Sequence, residues 1–122
     1  LMKVKVKGQK PIIVFATNNQ HKLQEVNAIL GNRFEVRSLK EIGCYDDLPE
    51  THNTLEGNAM EKARYINHFY GFDCFAQCTE GDREAYSLIY HHNTYKFDSL
   101  QGVSDFLQQQ FPEKGKKKEK NK

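Results

Sequence analysis

Apolar positions along the chain change period several times, and each change marks an element. Ile12-Ile13-Val14-Phe15-Ala16 follows Pro11 as a near-continuous apolar run, the pattern of a strand covered on both faces. It stops at Thr17-Asn18-Asn19, and a period of three to four begins. Leu23, Val26, Ile29 and Leu30 predict a helix over about residues 19–30, with Asn18 or Asn19 as N-cap and Gly31 as its stop. Phe34, Val36 and Leu39 predict a second short strand. Residues 40–53 read as loop, with Gly43, Asp46, Asp47, Pro49, His52 and Asn53 as turn formers. Leu55, Ala59, Ala63, Ile66 and Tyr70 share one helical face, giving a second helix over about 55–69, capped by Thr54 and ended by Gly71. Phe72 to Ala76 is a third strand. Tyr86–Tyr90 and Tyr95–Phe97 alternate around His91-His92-Asn93-Thr94, which predicts a hairpin. Asp98 or Ser99 then caps a last helix carrying Leu100, Val103, Phe106 and Leu107.

Helices and strands in this order predict an α/β fold: a central mixed sheet flanked by helices, plus a C-terminal hairpin and helix. Residues 11–110 form one domain. Residues 1–10 are an N-terminal extension whose Lys/Val alternation suits a strand edge. Residues 111–122 are a lysine-rich tail expected to be disordered. The 122 residues suffice for one modest core. No apolar run approaches the roughly 20 residues that span a bilayer, so no membrane role is expected. The opening Leu1–Lys7 lacks the apolar stretch of a secretory signal. The three cysteines, Cys44, Cys74 and Cys78, are then expected as reduced thiols in the cytoplasm. Cys74-x-x-x-Cys78 with His91 and His92 downstream fits no common zinc module. The net charge of +2 is too small to imply nucleic acid. Six lysines in the last nine residues would give only a salt-dependent attraction to phosphate backbones.

The chemistry begins where the first strand meets the first helix. A tight polar turn there aims backbone N–H groups and the positive end of the helix dipole at one point. A phosphate fits that point, and Lys22, one turn in, can reach it. The same residues serve equally well as ordinary caps and a solvated lysine. A motif decides between these readings. Phe15-Ala16-Thr17-Asn18-Asn19-Gln20-His21-Lys22-Leu23-Gln24-Glu25-Val26 resembles the opening motif of the inosine triphosphate pyrophosphatase family, hydrolases of non-canonical purine nucleoside triphosphates. Leu48-Pro49-Glu50-Thr51 resembles its metal-site segment. Thr54-Leu55-Glu56-Gly57-Asn58-Ala59-Met60-Glu61-Lys62-Ala63-Arg64 resembles the helix that follows. The resemblance covers residues 11–76. It implies that Thr17, Asn18, Asn19 and Lys22 contact the substrate phosphates and that Glu50 holds a magnesium ion. It implies further that Asn58 and Lys62, four apart on the second helix, contact substrate. Asp46 and Asp47 are nearby alternatives to Glu50, and Glu56 reads as a dipole partner in the first turn. His21 is expected at the surface.

The family's reaction is attack of water on a nucleoside triphosphate (ITP, dITP or XTP), giving the monophosphate and pyrophosphate. A carboxylate orients or activates that water. In the family it follows the third strand, in an Asp-Asp-Ser/Thr-Gly-Leu motif. Here the corresponding residues are Gln77-Cys78-Thr79-Glu80-Gly81. Gln77 and Cys78 replace both aspartates, and neither restores the function: an amide accepts no proton at neutral pH, and a thiol binds magnesium poorly. Glu80 and Asp82 would need a different loop path to substitute. The family's Phe-Gly-Tyr-Asp-Pro and Ser-His-Arg motifs are also absent. The sequence therefore predicts a truncated or divergent pyrophosphatase with weak or lost activity. The alternative is a non-catalytic nucleotide-binding or interaction protein with a vestigial site, for which a homodimer would cover an exposed sheet edge.

Overall fold

The computed structural model of the chain describes residues 10–111. Five strands form one sheet within them: β1 (Ile12–Phe15), β2 (Glu35–Arg37), β3 (Cys74–Glu80), β4 (Arg83–Tyr90) and β5 (Asn93–Phe97). The helices are α1 (Gln20–Leu30), α2 (Leu55–Tyr70) and α3 (Leu100–Gln108). The strands lie in the order β2-β1-β3-β4-β5. β1 is parallel to β2 and to β3, whereas β3–β4 and β4–β5 are antiparallel. The sheet is therefore mixed, as the sequence predicts. The extension and the lysine-rich tail expected at the two ends lie almost wholly outside the described residues.

Side chains alternate across the sheet, and each face has its own core. On one face Ile13, Phe15, Phe75 and Leu88 meet Val26 and Leu30 of α1 and Val103 and Leu107 of α3. The Phe15 and Phe75 rings stack there at 4.5 Å. On the other face Val14, Ala16, Cys74, Ala76 and Ile89 meet Ala63 and Ile66 of α2. This two-sided burial explains why β1 reads as a continuous apolar run.

The caps fall where the sequence puts them. Asn19 caps α1 by accepting from Lys22 N–H, Thr54 caps α2 through Gly57 N–H, and Ser99, rather than Asp98, caps α3. Gly71 ends α2 at φ +78°, a left-handed conformation that suits glycine. The loop expected over 40–53 contains one short 3-10 turn, Lys40–Ile42.

The third strand differs from the expectation. It ends at Glu80 rather than Ala76, and it pairs along its whole length with β4, from Cys74↔Ile89 to Glu80↔Arg83. Its polar end, Gln77-Cys78-Thr79-Glu80, is held by this hairpin rather than by an apolar pattern. For that reason hydrophobic periodicity does not reveal it. The expected β4–β5 hairpin is present, and it turns through His91 and His92, both at positive φ. Residues 83–108 thus extend the sheet and cover one face.

From β1 the chain crosses α1 to β2 on one side, and then returns over α2 to β3 on the other side. The strand order therefore reverses between β1 and β3. In open α/β sheets, the crevice outside the carboxyl ends of the strands at such a reversal is the common ligand position. Among the described residues no helix is long and apolar enough to cross a membrane.

Candidate nucleotide site at the ends of β1 and β3

The polar turn 17–19 leaves the carboxyl end of β1. It is held in shape from inside: Asn19 N–H donates to Thr17 Oγ1 (3.1 Å), and Lys22 N–H to Asn19 Oδ1 (3.0 Å). From outside, Lys40 N–H donates to Asn18 Oδ1 (2.8 Å) and Leu39 N–H to Thr17 O (3.2 Å). The side-chain oxygens of Thr17, Asn18 and Asn19 are thus spent on the backbone. They shape the turn, while the first amides of α1 and its dipole face outward. Lys22 is partly exposed at this end, and His21 is exposed as expected.

The second half of the site lies on the α2 face. Ala16, just before the turn, shares an apolar cluster with Met60 and with Leu48, which leads into Glu50. From the second turn of α2, Lys62 extends to β3. Its ammonium donates to Gln77 O at 2.7 Å and lies 3.1 Å from Glu50 Oε2. The Lys62 side chain is only 14% exposed, against 50% for Glu50. Cys78 completes the group, with Sγ 3.8 Å from Glu50 Oε2. Burial pushes the Cys78 thiol upward, the neighbouring Lys62 ammonium opposes this, and Glu50 adds to it. Cys78 therefore stays a neutral thiol at neutral pH.

Gln77 and Cys78 separate at this point. Cys78 faces α2, in a small cluster with Leu55, Ala59 and Ala85. The Gln77 side chain faces the opposite side of the sheet, where Nε2 donates to Glu84 Oε1 (2.6 Å) and meets Tyr86 Oη at 3.0 Å. Tyr86 Oη in turn contacts the same Glu84 oxygen at 3.2 Å. Burial, more than the Glu84 charge, raises the Tyr86 phenol. Sequence reasoning missed Glu84 because its strand begins three residues earlier than the periodicity shows, and it placed Tyr86 in the strand without a partner because the Gln77 contact depends on register.

The remaining candidates make the following contacts. Asn58 Oδ1 accepts from His52 N–H (2.8 Å) and ties the loop to α2. Asp46 Oδ2 accepts from Tyr65 and Tyr70, each at 2.9 Å, which engages it away from Lys62. Asp47 is exposed. Glu56, in the first turn of α2, pairs with Arg83 at 3.3 Å. Glu80 and Asp82 are exposed at the tip of the β3–β4 hairpin. Cys74 is fully buried and donates to Ala63 O. All three cysteines are free.

The donor set bears on the expected magnesium ion. Among the described residues, no three of His, Cys, Asp and Glu gather as a cage. Magnesium commonly takes one or two carboxylates and completes its octahedron with phosphate oxygens and water. Half-exposed Glu50 fits the role of that single carboxylate once its Lys62 partner is drawn away. The Cys78 thiol, a soft ligand, does not fit it.

Comparison with known proteins bears on family and fold. The model describing the Ham1 family matches residues 13–121. Over 67 residues the chain is 49% identical to a dITP/XTP pyrophosphatase of Flavobacterium psychrophilum, a span covering 55% of this chain and 35% of that protein. A dITP/XTP pyrophosphatase of Porphyromonas gingivalis is 49% identical over 73 residues, 60% of this chain and 38% of that protein. The chain thus spans little more than a third of the length of these curated relatives. Among solved structures, a nucleoside-triphosphatase / dITP/XTP pyrophosphatase from Mycobacterium abscessus superposes with a TM-score of 0.61 at 20% identity, covering 70% of each chain. That likeness is one of fold.

Proposed function

The chain belongs to the Ham1 family, and from that premise we propose that it is a divergent nucleoside triphosphate pyrophosphatase. Its substrate class is the non-canonical purine triphosphates, ITP, dITP and XTP, the class implied by its relatives' names and motifs. One observation carries the reading. The polar turn 17–19 leaves the carboxyl end of β1, and the Lys62–Glu50 pair stands against β3 at Gln77 and Cys78, just past its ladder with β1, where the strand order reverses.

In this reading the amides and dipole at the start of α1 take one phosphate group, with Lys22 beside them. Lys62 neutralises a second, and Asn58 keeps the loop carrying Glu50 in place. Glu50 would hold a magnesium ion, which supplies charge neutralisation at the phosphates when bound. In this reading no base for the attacking water stands at the position the motif implies among the described residues. Cys78 occupies the corresponding position as a neutral thiol, and the Gln77 side chain lies across the sheet on Glu84. General acid–base catalysis contributes about 10²–10⁴-fold, so turnover is weak or absent and binding persists. A nucleotide-binding protein without catalysis is the second reading, favoured by the same neutral thiol. The proposal places the protein in the cytoplasm, in keeping with its free thiols, and gives it no nucleic-acid partner. The exposed strands β2 and β5 at the two sheet edges would support a homodimer.

Thermal unfolding of the purified chain with and without magnesium and ITP, with pyrophosphate followed in the same samples, tests the reading. A ligand at about a hundred times its dissociation constant adds roughly 2.7 kcal/mol to a native state it binds exclusively. Stabilisation with slow or no pyrophosphate release is expected. Family-like turnover would refute the loss of the base, and an unmoved transition would refute nucleotide binding altogether.

A further inference from the structure

Lys62 occupies the position of a bound cation. Its side chain is mostly buried, and around the ammonium stand a carboxylate oxygen at 3.1 Å, a strand carbonyl oxygen at 2.7 Å and the sulfur of Cys78, itself 3.8 Å from the same carboxylate oxygen. This is the chemistry a metal ion would meet at Glu50, already satisfied by a side chain. At position 78 a carboxylate could share Lys62 with Glu50. Cys78 brings no carboxylate to this point, and the Lys62 ammonium rests on Glu50.

We infer that Lys62 is an internal counter-ion that closes Glu50 to divalent cations until a nucleotide's phosphates draw it away. This rests on the proposed nucleotide reading and adds an order to it. Nucleotide phosphate, with its several negative oxygens, outcompetes a single carboxylate for the ammonium. Once Lys62 swings to the phosphate, the Glu50 carboxylate is left without its partner and accepts a cation, whose other ligands are phosphate oxygens and water. Cation and phosphate thus bind together, and by linkage each raises the affinity for the other equally. A divalent ion alone finds two positive charges competing for one carboxylate.

The test is manganese binding to the full chain without nucleotide, followed by loss of the free-ion EPR signal. Lys62→Met removes the counter-ion and keeps the aliphatic stem. Expected is manganese affinity at least about tenfold higher in Lys62→Met than in the wild type, since a charge-assisted pair of this kind contributes about one to two powers of ten. Adding Glu50→Gln to Lys62→Met should remove the gain. Lys62→Gln replaces Lys62→Met if the latter unfolds. Equal affinity in wild type and variant, or tight manganese binding by the wild type alone, overturns the inference. A nucleotide that leaves the wild-type unfolding transition unmoved sinks the functional reading instead, whatever the manganese result. The two failures are therefore separable.

Discussion

Gln77 and Cys78 are adjacent in sequence, yet their side chains lie on opposite faces of the sheet: Gln77 against Glu84 and Tyr86, Cys78 against Glu50. A strand alternates its side chains, so two acidic residues at these positions could never serve one group as a pair. Only position 78 looks toward Lys62 and Glu50. Cys78→Asp is therefore expected to raise pyrophosphate release from ITP by about 10²-fold or more, the scale of a restored general base. Gln77→Asp should give no gain. It places a carboxylate diagonally across the strands from Glu84 and should cost about 1 kcal/mol or less, as like charges on neighbouring strands do. A pyrophosphate assay and a urea melt on both variants check this; a rate gain in Gln77→Asp alone would reverse the assignment.

Two helix caps separate stability from binding. Asn19→Ala and Thr54→Ala each remove the acceptor for a first-turn amide, at a cost of about 1 kcal/mol. Asn19 also shapes the polar turn 17–19 proposed to take phosphate, whereas Thr54 caps α2. Calorimetric titration with ITP and magnesium should show weakened binding for Asn19→Ala and near-wild-type binding for Thr54→Ala at a temperature where both are folded. Equal losses would mean that the turn is only a cap.

The reactivity of Cys78 reports its surroundings. Burial raises the thiol, Lys62 lowers it and Glu50 raises it, and the thiolate is the reactive form. Iodoacetamide should modify Cys78 more slowly than a free cysteine at pH 8. Lys62→Met should slow the reaction further, and Glu50→Gln should speed it. Peptide mass spectrometry over time reads each rate, and an unchanged rate in Lys62→Met would contradict the contact.

Acid should act partly through Glu61. Thr51 N–H donates to its carboxylate at 2.8 Å, and this bond holds Glu61 below the usual carboxylate range. The charged form is therefore favoured in the folded state. Its contribution is fully present above the unfolded value of about 4.3 and disappears as pH falls through the lower folded value. Denaturant midpoints at pH 6 and pH 3 should differ less in Glu61→Gln than in the wild type. An identical drop in both would place the acid sensitivity elsewhere.

Much of this architecture is legible in the sequence, for physical reasons. Val14 and Phe15 are apolar because both faces of β1 are covered, and Asn19 and Thr54 mark helix starts because their oxygens meet unpaired amides. The apposition of Glu50 with Lys62 was not legible: the motifs imply a separate task for each residue, and a contact spanning a loop and a helix leaves no periodic trace. The extension of β3 past Ala76 was hidden, because Gln77 and Thr79 lie beyond the reach of β1 and take their order from β4. Glu84 was hidden with it, as was the contact of Tyr86 with Gln77. The engagement of Asp46 by Tyr65 and Tyr70 also leaves no local trace: hydrogen bonds spanning 19 and 24 residues carry no periodicity.

The stacked rings of Phe15 and Phe75 have a mechanical consequence. β1 and β3 share only a short ladder, Val14↔Cys74 and Phe15↔Phe75, and the polar turn 17–19 hangs from one side of that seam while Gln77 and Cys78 hang from the other. The ring stack acts as the rivet of this joint. Loosening it would leave both helices intact and still pull the two halves of the site out of alignment, so the joint sets the gauge between them.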